Sequence, residues 1–92
     1  MSHMDAFAAL ADPTRRRILE MLAERELAAG EIAQRFDMTA PAVSQHLKIL
    51  RNADLVRVRT DAQRRMYALE PHGLADLDAW LGRYRRLWNE RG

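Results

Sequence analysis

The hydrophobic positions of the chain follow a helical period at both ends and an alternating period in the middle. Up to Asn52, and again after residue 73, apolar residues recur every three or four positions, which is the spacing of amphipathic helices. Between residues 55 and 69 they alternate with polar residues, as they do in half-buried strands. The pattern therefore predicts a mainly α chain with a small β-hairpin, in the order α-α-α-α-β-β-α.

Local signals set the bounds of the first two predicted helices. The Ala-rich segment from Met4 to Ala11 predicts a short helix that stops at Asp12. Asp12 can cap the free N–H groups of a new helix, and the proline that follows it loses no hydrogen bond in the first turn. This second helix is expected to run to about Ala23.

The next two predicted helices are separated by a three-residue turn. Residues 24–27 interrupt the pattern, and helical spacing resumes over residues 28–36. Residues 37–39 form the turn, because Thr39 can cap a fourth helix whose first turn holds Pro41. We therefore expect a helix-turn-helix over residues 28–52.

The fourth predicted helix has a sparsely charged outer face. At about 100° per residue, the core face is expected to hold Val43, His46, Leu47 and Leu50. The opposite face holds Pro41, Ser44, Gln45 and Lys48, with Ala40 and Ala42 near its N-terminal edge. We expect the His46 ring to satisfy a backbone group in the core.

After this helix, two alternating segments predict a β-hairpin with a basic tip. Val56 and Val58 fall on one side of the first segment, and Arg57 and Arg59 fall on the other. A polar connection over residues 60–63 leads to a second alternating segment, and residues 70–73 end the hairpin. A helix-turn-helix followed by such a hairpin, here residues 55–69, is a winged helix-turn-helix, in which the second helix enters the major groove of DNA. We expect one such domain over residues 1–92.

The charge distribution agrees with a polyanionic partner. The chain has a net charge of +2, but residues 41–69 hold six basic residues against two acidic ones, a net +4 in 29 residues. A solvated surface that keeps the protein in solution is the alternative explanation for such a cluster. The predicted fold favours double-stranded DNA.

The expected DNA contacts divide between bases and phosphates. Gln can pair with adenine, Ser with several bases, and small apolar groups with the thymine methyl, so the outer face of the fourth helix suits base edges. Phosphate contacts need charge, which Lys48 and the arginines of the hairpin can supply. The candidate DNA-binding residues are Thr39, Ala40, Pro41, Ser44, Gln45, Lys48, Arg59, Arg64 and Arg65.

The last predicted helix carries more apolar surface than a small core can cover. Its apolar residues follow the 3-4-3-4 spacing of a packing seam. The first helix is short and marginal alone, so we expect it to pack against the last one and to share an interface with a second copy. A homodimer is predicted, with dimerisation helices over residues 4–11 and 72–89. Its candidate residues are Phe7, Leu10, Leu74, Leu77, Trp80, Leu81, Tyr84 and Trp88.

Composition narrows the class of protein further. Ninety-two residues make one domain with a small core, and the absence of cysteine agrees with a reducing cytoplasm. No apolar run approaches the roughly 20 residues of a membrane span, and no signal peptide is evident, so a cytoplasmic protein is expected. The opening Ser2-His3-Met4 indicates a cloning scar, with the natural start at Met4.

Five short motifs lie between Leu10 and Val56, within a longer stretch, residues 7–88, that shares the same pattern. They are Leu10-Ala11-Asp12-Pro13-Thr14-Arg15, Ile18-Leu19, Glu31-Ile32-Ala33, Ser44-Gln45-His46-Leu47-Lys48-Ile49-Leu50 and Leu55-Val56. Together they resemble the ArsR/SmtB family of bacterial winged-helix repressors. The resemblance implies a homodimer on a palindromic operator, with recognition contacts at Ala40, Pro41, Ser44 and Gln45. Members of that family usually release DNA when a metal binds.

The metal sites of that family have no counterpart in this sequence. Its thiolate sensors would need cysteines where this chain has Ala28 and Gly30. Its other sensors use Asp and His on the last helix, which here offers Asp76 and Asp78 but no His after His72. Two acids alone are poor ligands for transition metals. The resemblance is therefore closer to the metal-independent branch, which includes autorepressors, and we expect neither a metal nor a cofactor.

No catalytic constellation accompanies these features. Ser44 and His46 lie about 200° apart on a helix, so they cannot form a dyad. With no Gly-rich phosphate loop and little room for a pocket, an enzyme is not expected. Two questions stay open. One of Arg15, Arg16 and Arg17 could reach a phosphate, and the fold could serve protein contact, as in an antitoxin-like partner, instead of DNA.

Overall fold

The computed structural model describes residues 3–91, and only the backbone at His3, Trp88, Glu90 and Arg91. The fold is mostly helical with a small antiparallel sheet, which confirms the predicted fold class. Its elements are α1 His3–Leu10, α2 Pro13–Glu24, β1 Leu27–Ala28, α3 Ala29–Arg35, α4 Ala40–Asn52, β2 Val56–Asp61, β3 Arg64–Leu69 and α5 Pro71–Arg91.

The predicted order omits the short strand β1. Residues 24–27 were expected to be a break and residues 28–36 a helix, but Leu27 and Ala28 pair with Tyr67 and Met66 of β3. The sheet therefore has three strands in the order β1-β3-β2. Two residues are too few to display an alternating pattern, and this strand exists because β3 offers it a free edge.

The two predicted caps are both present. The side chain of Asp12 accepts a hydrogen bond of 3.0 Å from the backbone N–H of Arg15 at the start of α2. The Thr39 hydroxyl accepts one of 3.2 Å from the N–H of Ala42 at the start of α4. Each cap satisfies an N–H group that has no partner within its helix. The turn between α3 and α4 therefore ends where the sequence predicts.

The core-facing side of α4 also follows the prediction. Val43, Leu47 and Leu50 are buried in one cluster with Ile18 of α2, Leu27 of β1 and Ile32 of α3. These side chains hold α4 against the rest of the domain and leave its opposite face toward solvent. No helix in residues 3–91 is both long enough and apolar enough to cross a membrane.

The last helix begins earlier than predicted. Residues 70–73 were expected to interrupt the chain, but α5 starts at Pro71, and the Glu70 carboxylate accepts a 2.9 Å hydrogen bond from the N–H of His72. Proline at the first helical position and an acceptor before it are helix-start signals. Gly73 lies in the first turn, where a Cβ would overlap the carbonyl oxygen of Asp54 and stand 2.7 Å from its carbon.

The hairpin has a shorter connection than predicted. Strands β2 and β3 pair from Val56↔Leu69 to Asp61↔Arg64, so only two residues form the turn. Ala62 in that turn has φ 57°, in the left-handed region. We call β2, β3 and this turn the wing.

Candidate nucleic-acid interface

The outer face of α4 lies open to solvent over its whole length. Every residue predicted to touch DNA from this helix and its cap is exposed: Thr39, Ala40, Pro41, Ser44, Gln45 and Lys48. Among the described residues, no hydrogen bond or ion pair engages the side chains of Ser44, Gln45 and Lys48. The structure brings these six residues together on one surface, whose only charged side chain is Lys48.

His46 does not have the environment that was predicted for it. Its side chain is 20% exposed, and its Nδ1 lies 3.9 Å from an Asp12 oxygen and 3.5 Å from an Arg15 nitrogen. The expectation of a core ring bonded to a backbone group is therefore wrong. At about 100° per residue His46 lies about 60° from Val43 and about 40° from Leu50, and its ring contacts the start of α2, where the Asp12 carboxylate and the Arg15 guanidinium lie.

Two of the three predicted wing arginines are held by carboxylates of the same chain. Arg59 donates two hydrogen bonds to Glu26, of 2.8 and 2.7 Å. Arg64 donates one of 2.8 Å to Glu31, which also lies 3.8 Å from Arg25. Sequence analysis did not find these pairs, because each joins residues 33 positions apart.

These hydrogen bonds shift the pKa values of the groups that form them. The hydrogen bond from Arg59 is the main cause that lowers the pKa of Glu26, and the same bond raises the pKa of Arg59. The pKa of Glu31 is also lowered, chiefly by the backbone N–H of Ala28 and only then by Arg64. Glu31, at the third position of α3, thus accepts the N–H of the N-cap residue Ala28 and also pairs with Arg64.

The third wing arginine is arranged differently. The guanidinium of Arg65 lies 5.9 Å from the centre of the Tyr67 ring, a cation–π distance that leaves its N–H groups facing solvent. Arg65 is exposed, as is Arg57 on β2. The wing therefore presents Arg65 without a carboxylate partner among the described residues, whereas Arg59 and Arg64 each have one.

The three consecutive arginines of α2 point to different neighbours. Arg15 donates to the carbonyl oxygens of Ala8 and Ala9, and Arg16 donates to that of Leu10, at 2.7 Å. The Arg17 guanidinium lies 5.0 Å from the centre of the Phe36 ring. Arg15 and Arg16 therefore bind the C-terminal carbonyls of α1, an arrangement that also complements the helix dipole.

The predicted dimerisation residues divide into two groups. Leu77 is buried within its own domain, and Phe7, Leu10 and Leu74 are partly buried against the same core. Leu81 and Tyr84 are exposed by 40% and 55%, and Leu87, which was not among the predicted residues, is exposed by 53% beside them. Trp80 joins the groups, since its ring lies 5.0 Å from that of Phe7 and 4.8 Å from that of Tyr84. The side chain of Trp88 lies outside the described residues.

The described acidic and histidine side chains of α5 do not assemble into a metal site. The Nδ1 atom of His72 lies 3.8 Å from both Asp54 and Asp76, and Asp78 binds Arg85 at 2.6 Å. Among the side chains that the structure describes, no three His, Asp or Glu residues are arranged to hold a metal ion.

Comparison with known proteins identifies the family of the chain. A family model described as "Bacterial regulatory protein, arsR family" matches residues 12–58, from α2 into the wing. The HTH-type transcriptional regulator Rv2034 of Mycobacterium tuberculosis is 52% identical over 79 residues, 86% of this chain and 74% of that protein. The transcriptional repressor SdpR of Bacillus subtilis is 36% identical over 77 residues, 84% of this chain and 86% of that protein.

A solved structure extends the likeness to the fold. An ArsR-like transcriptional regulator from a Rhodococcus species superposes with a TM-score of 0.81 at 28% identity, covering 96% of this chain and 83% of that one. These matches confirm the resemblance that the motifs of the sequence indicate.

Proposed function

Because the chain belongs to the arsR family of bacterial regulatory proteins, we propose that it represses transcription as a homodimer that reads a palindromic operator. The family consists of transcriptional regulators, so the chain is a regulator and not an enzyme. Repression is the activity named for the Bacillus relative, and we extend it to this chain.

The observation that carries the proposal is the open outer face of α4. Ser44 and Gln45 are exposed on the first half of this helix, with Pro41 and two alanines beside them. An amide, a hydroxyl and small apolar groups are the chemistry that distinguishes base edges in the major groove. In the proposed complex α4 reads bases, Lys48 binds a phosphate, and Thr39 holds the start of the helix in place.

The wing supplies the remaining contacts in the proposed complex. Arg65 already faces solvent, and Arg59 and Arg64 lie on the same hairpin. We assign all three to phosphates or to the minor groove next to the half-site read by α4.

The exposed apolar residues of α5 support the homodimer. Leu81, Tyr84 and Leu87 lie on one side of the helix, and Trp80 and Phe7 extend that surface onto α1. Such a continuous apolar surface on a small domain marks a contact with another protein. Two-fold pairing through α1 and α5 would set two copies of α4 about 34 to 36 Å apart, one turn of DNA.

The decisive experiment measures assembly and DNA binding on the same samples. Purified protein is tested by gel shift on the DNA upstream of its own gene and on random duplex, and its mass is measured by light scattering. We expect a dimer that prefers the upstream DNA. Absence of duplex binding in moderate salt would refute the proposal and favour a protein-contact role for the winged fold.

A pair of α5 variants tests the dimer itself. Leu81→Asp should produce monomers that lose operator binding although α4 is intact, because a charge cannot be buried in an apolar interface. Ala79→Asp is the matched control, since it is exposed about 200° around the same helix. Full operator affinity in monomeric Leu81→Asp would refute the two-fold mode of reading.

We also propose that regulation does not depend on a metal. Ala28 and Gly30 occupy the positions where thiolates would be needed, and His72 is the last histidine of the chain. Near-stoichiometric zinc, nickel or cadmium should therefore leave operator affinity unchanged. A tenfold loss that a chelator reverses would reveal a metal site and contradict the proposal.

A further inference from the structure

The guanidinium of Arg15 lies where three helices meet. Its Nε donates a 2.6 Å hydrogen bond to the carbonyl oxygen of Ala9, and one Nη donates a 3.0 Å bond to that of Ala8. Its other Nη lies 3.5 Å from Nδ1 of His46 on α4. Arg15 of α2 therefore binds the C-terminal end of α1 through two of its nitrogens and faces α4 with the third.

Asp12 closes this arrangement into a network. One of its oxygens accepts the 3.0 Å bond from the backbone N–H of Arg15 and lies 3.9 Å from the same His46 nitrogen. The backbone bond from Arg15 is the main cause that lowers the pKa of Asp12, so the carboxylate stays charged beside the ring. Asp12, the N-cap residue of α2, therefore contacts both the backbone of Arg15 and the ring of His46.

Direct packing between α1 and α4 leaves an open groove beside this network. The groove has a volume of about 400 Å³ and is lined by Ala8 and Arg15 on one side and by Ile49 and Asn52 on the other. Side chains do not interlock across such a groove, so packing fixes the angle between the two helices less firmly there than in a filled core. Arg15 lines the groove and connects the two helices through its contacts with Ala8 and His46.

A neighbouring residue of α1 connects this network to the proposed dimer surface. Phe7 of α1 packs edge-to-face on Trp80 of α5, with ring centres 5.0 Å apart. A contiguous path therefore runs from α5 through α1 and Arg15 to His46 on α4. In a two-fold dimer, the angle between α1 and α4 sets the distance between the two copies of α4.

We propose that Arg15 is a positioning residue that holds α4 at a fixed angle to α1 and so sets the spacing of the two half-sites that the dimer accepts. The inference rests on the proposed function. Arginine suits this role because its planar fork directs three nitrogens at once, which the single ammonium of lysine does not.

Arg16 provides a matched control on the same helix. It also donates to a carbonyl of α1, that of Leu10, but it is exposed. No hydrogen bond or ion pair joins it to a described residue of α4. Arg15→Gln and Arg16→Gln remove the same charge and each release α1, and only the first releases α4.

The test measures affinity for operators whose half-sites are at the native separation or one base pair closer or farther apart. Arg15→Gln should bind the native operator about tenfold more weakly and lose most of its preference for native spacing. Arg16→Gln should retain the wild-type preference, and Arg15→Lys should fall between the two. The slope of log affinity against log salt should not change in Arg15→Gln, because no phosphate contact is lost.

His46→Gln is the second variant, in case Arg15→Gln does not fold. It removes only the α4 end of the network and should relax the spacing preference in the same direction. An unaltered spacing preference in both Arg15→Gln and His46→Gln would overturn the inference while leaving the proposed function intact. A salt slope that falls by about one unit in Arg15→Gln would also overturn it, since Arg15 would then bind phosphate. A wild-type protein that binds no duplex would overturn the proposed function, and this inference with it.

Discussion

The outer face of α4 and the wing offer DNA two kinds of surface. On α4 the groups assigned to bases, Ser44 and Gln45, are exposed and make no hydrogen bond or ion pair with another described side chain. On the wing, Arg59 and Arg64 are already bound by Glu26 and Glu31. In the proposed complex, Ser44 and Gln45 would exchange only water for base contacts, whereas Arg59 and Arg64 would have to leave a carboxylate to reach a phosphate.

The two wing pairs also differ from each other. Glu26 is held chiefly by Arg59, and the pair is bidentate. Glu31 is held chiefly by the N–H of Ala28, so it keeps its capping bond when Arg64 leaves. Arg64 is therefore the easier of the two to transfer to DNA, and Arg59 is the more firmly retained.

The largest effect is expected on the α4 side of this comparison. Gln45→Ala should weaken operator binding by on the order of 1–3 kcal/mol and random duplex hardly at all, because a base contact carries sequence information. Gln34→Ala, at an exposed glutamine of α3, is the control and should bind both as the wild type does. Equal losses on operator and random DNA would remove Gln45 from base reading.

The next effect concerns the wing and should not depend on sequence. Arg64→Ala should weaken operator and random duplex alike and reduce the salt slope by about one unit, because one phosphate contact is lost. The measurement is a salt titration of affinity on both DNAs. An unchanged slope would place Arg64 on Glu31 in the complex as well as in the free protein.

Removing the carboxylate of Glu26, the partner of Arg59, should have a smaller effect of opposite sign on DNA affinity. Glu26→Gln should raise affinity for operator and random duplex about two- to fivefold, since Arg59 is released from an exposed ion pair. Glu20→Gln on α2 changes the net charge equally and is the control. If both variants gain equally, the gain comes from net charge and the exchange model is wrong.

The smallest effect separates the shape of the wing from its charge. Ala62 has φ 57°, where a Cβ is strained, so Ala62→Gly should stabilise the fold by about 1 kcal/mol or less without changing DNA affinity. Ala68→Gly in β3 should instead destabilise it, because glycine weakens a strand. Thermal unfolding of the two variants measures the contrast. A lower unfolding temperature for Ala62→Gly would contradict this account of the turn.

The sequence predicted the features that depend on neighbours along the chain and missed those that depend on residues far away in sequence. The caps at Asp12 and Thr39 and the buried residues Val43, Leu47 and Leu50 of α4 depend on neighbours within one or two turns, so local spacing predicted them correctly. The acidic partners of Arg59 and Arg64 lie 33 positions away, and the pairing of β1 with β3 brings them close. Periodicity carries no information on such distant contacts.

Two other differences have the same origin. His46 was assigned to the core from its angle on the helix, but its surroundings depend on where α2 begins. Residues 70–73 were expected to end the hairpin, but α5 starts at Pro71, and Gly73 in its first turn leaves room for the backbone carbonyl of Asp54. In both cases the deciding neighbour comes from another element.

The close approach of Gly73 to Asp54 gives α5 the mechanics of a lever. The fulcrum is in the first turn, and the helix continues for 21 residues, from Pro71 to Arg91. At 1.5 Å per residue its arm is about 30 Å long, so a tilt of about 10° at the fulcrum would carry the far end through about 5 Å. A methyl group added at Gly73 cannot occupy the space of the Asp54 carbonyl, so either α5 or the backbone at Asp54 would have to move. In the proposed dimer, the alignment of the two subunits would therefore depend on the absence of one carbon atom at Gly73, far from the surfaces that touch.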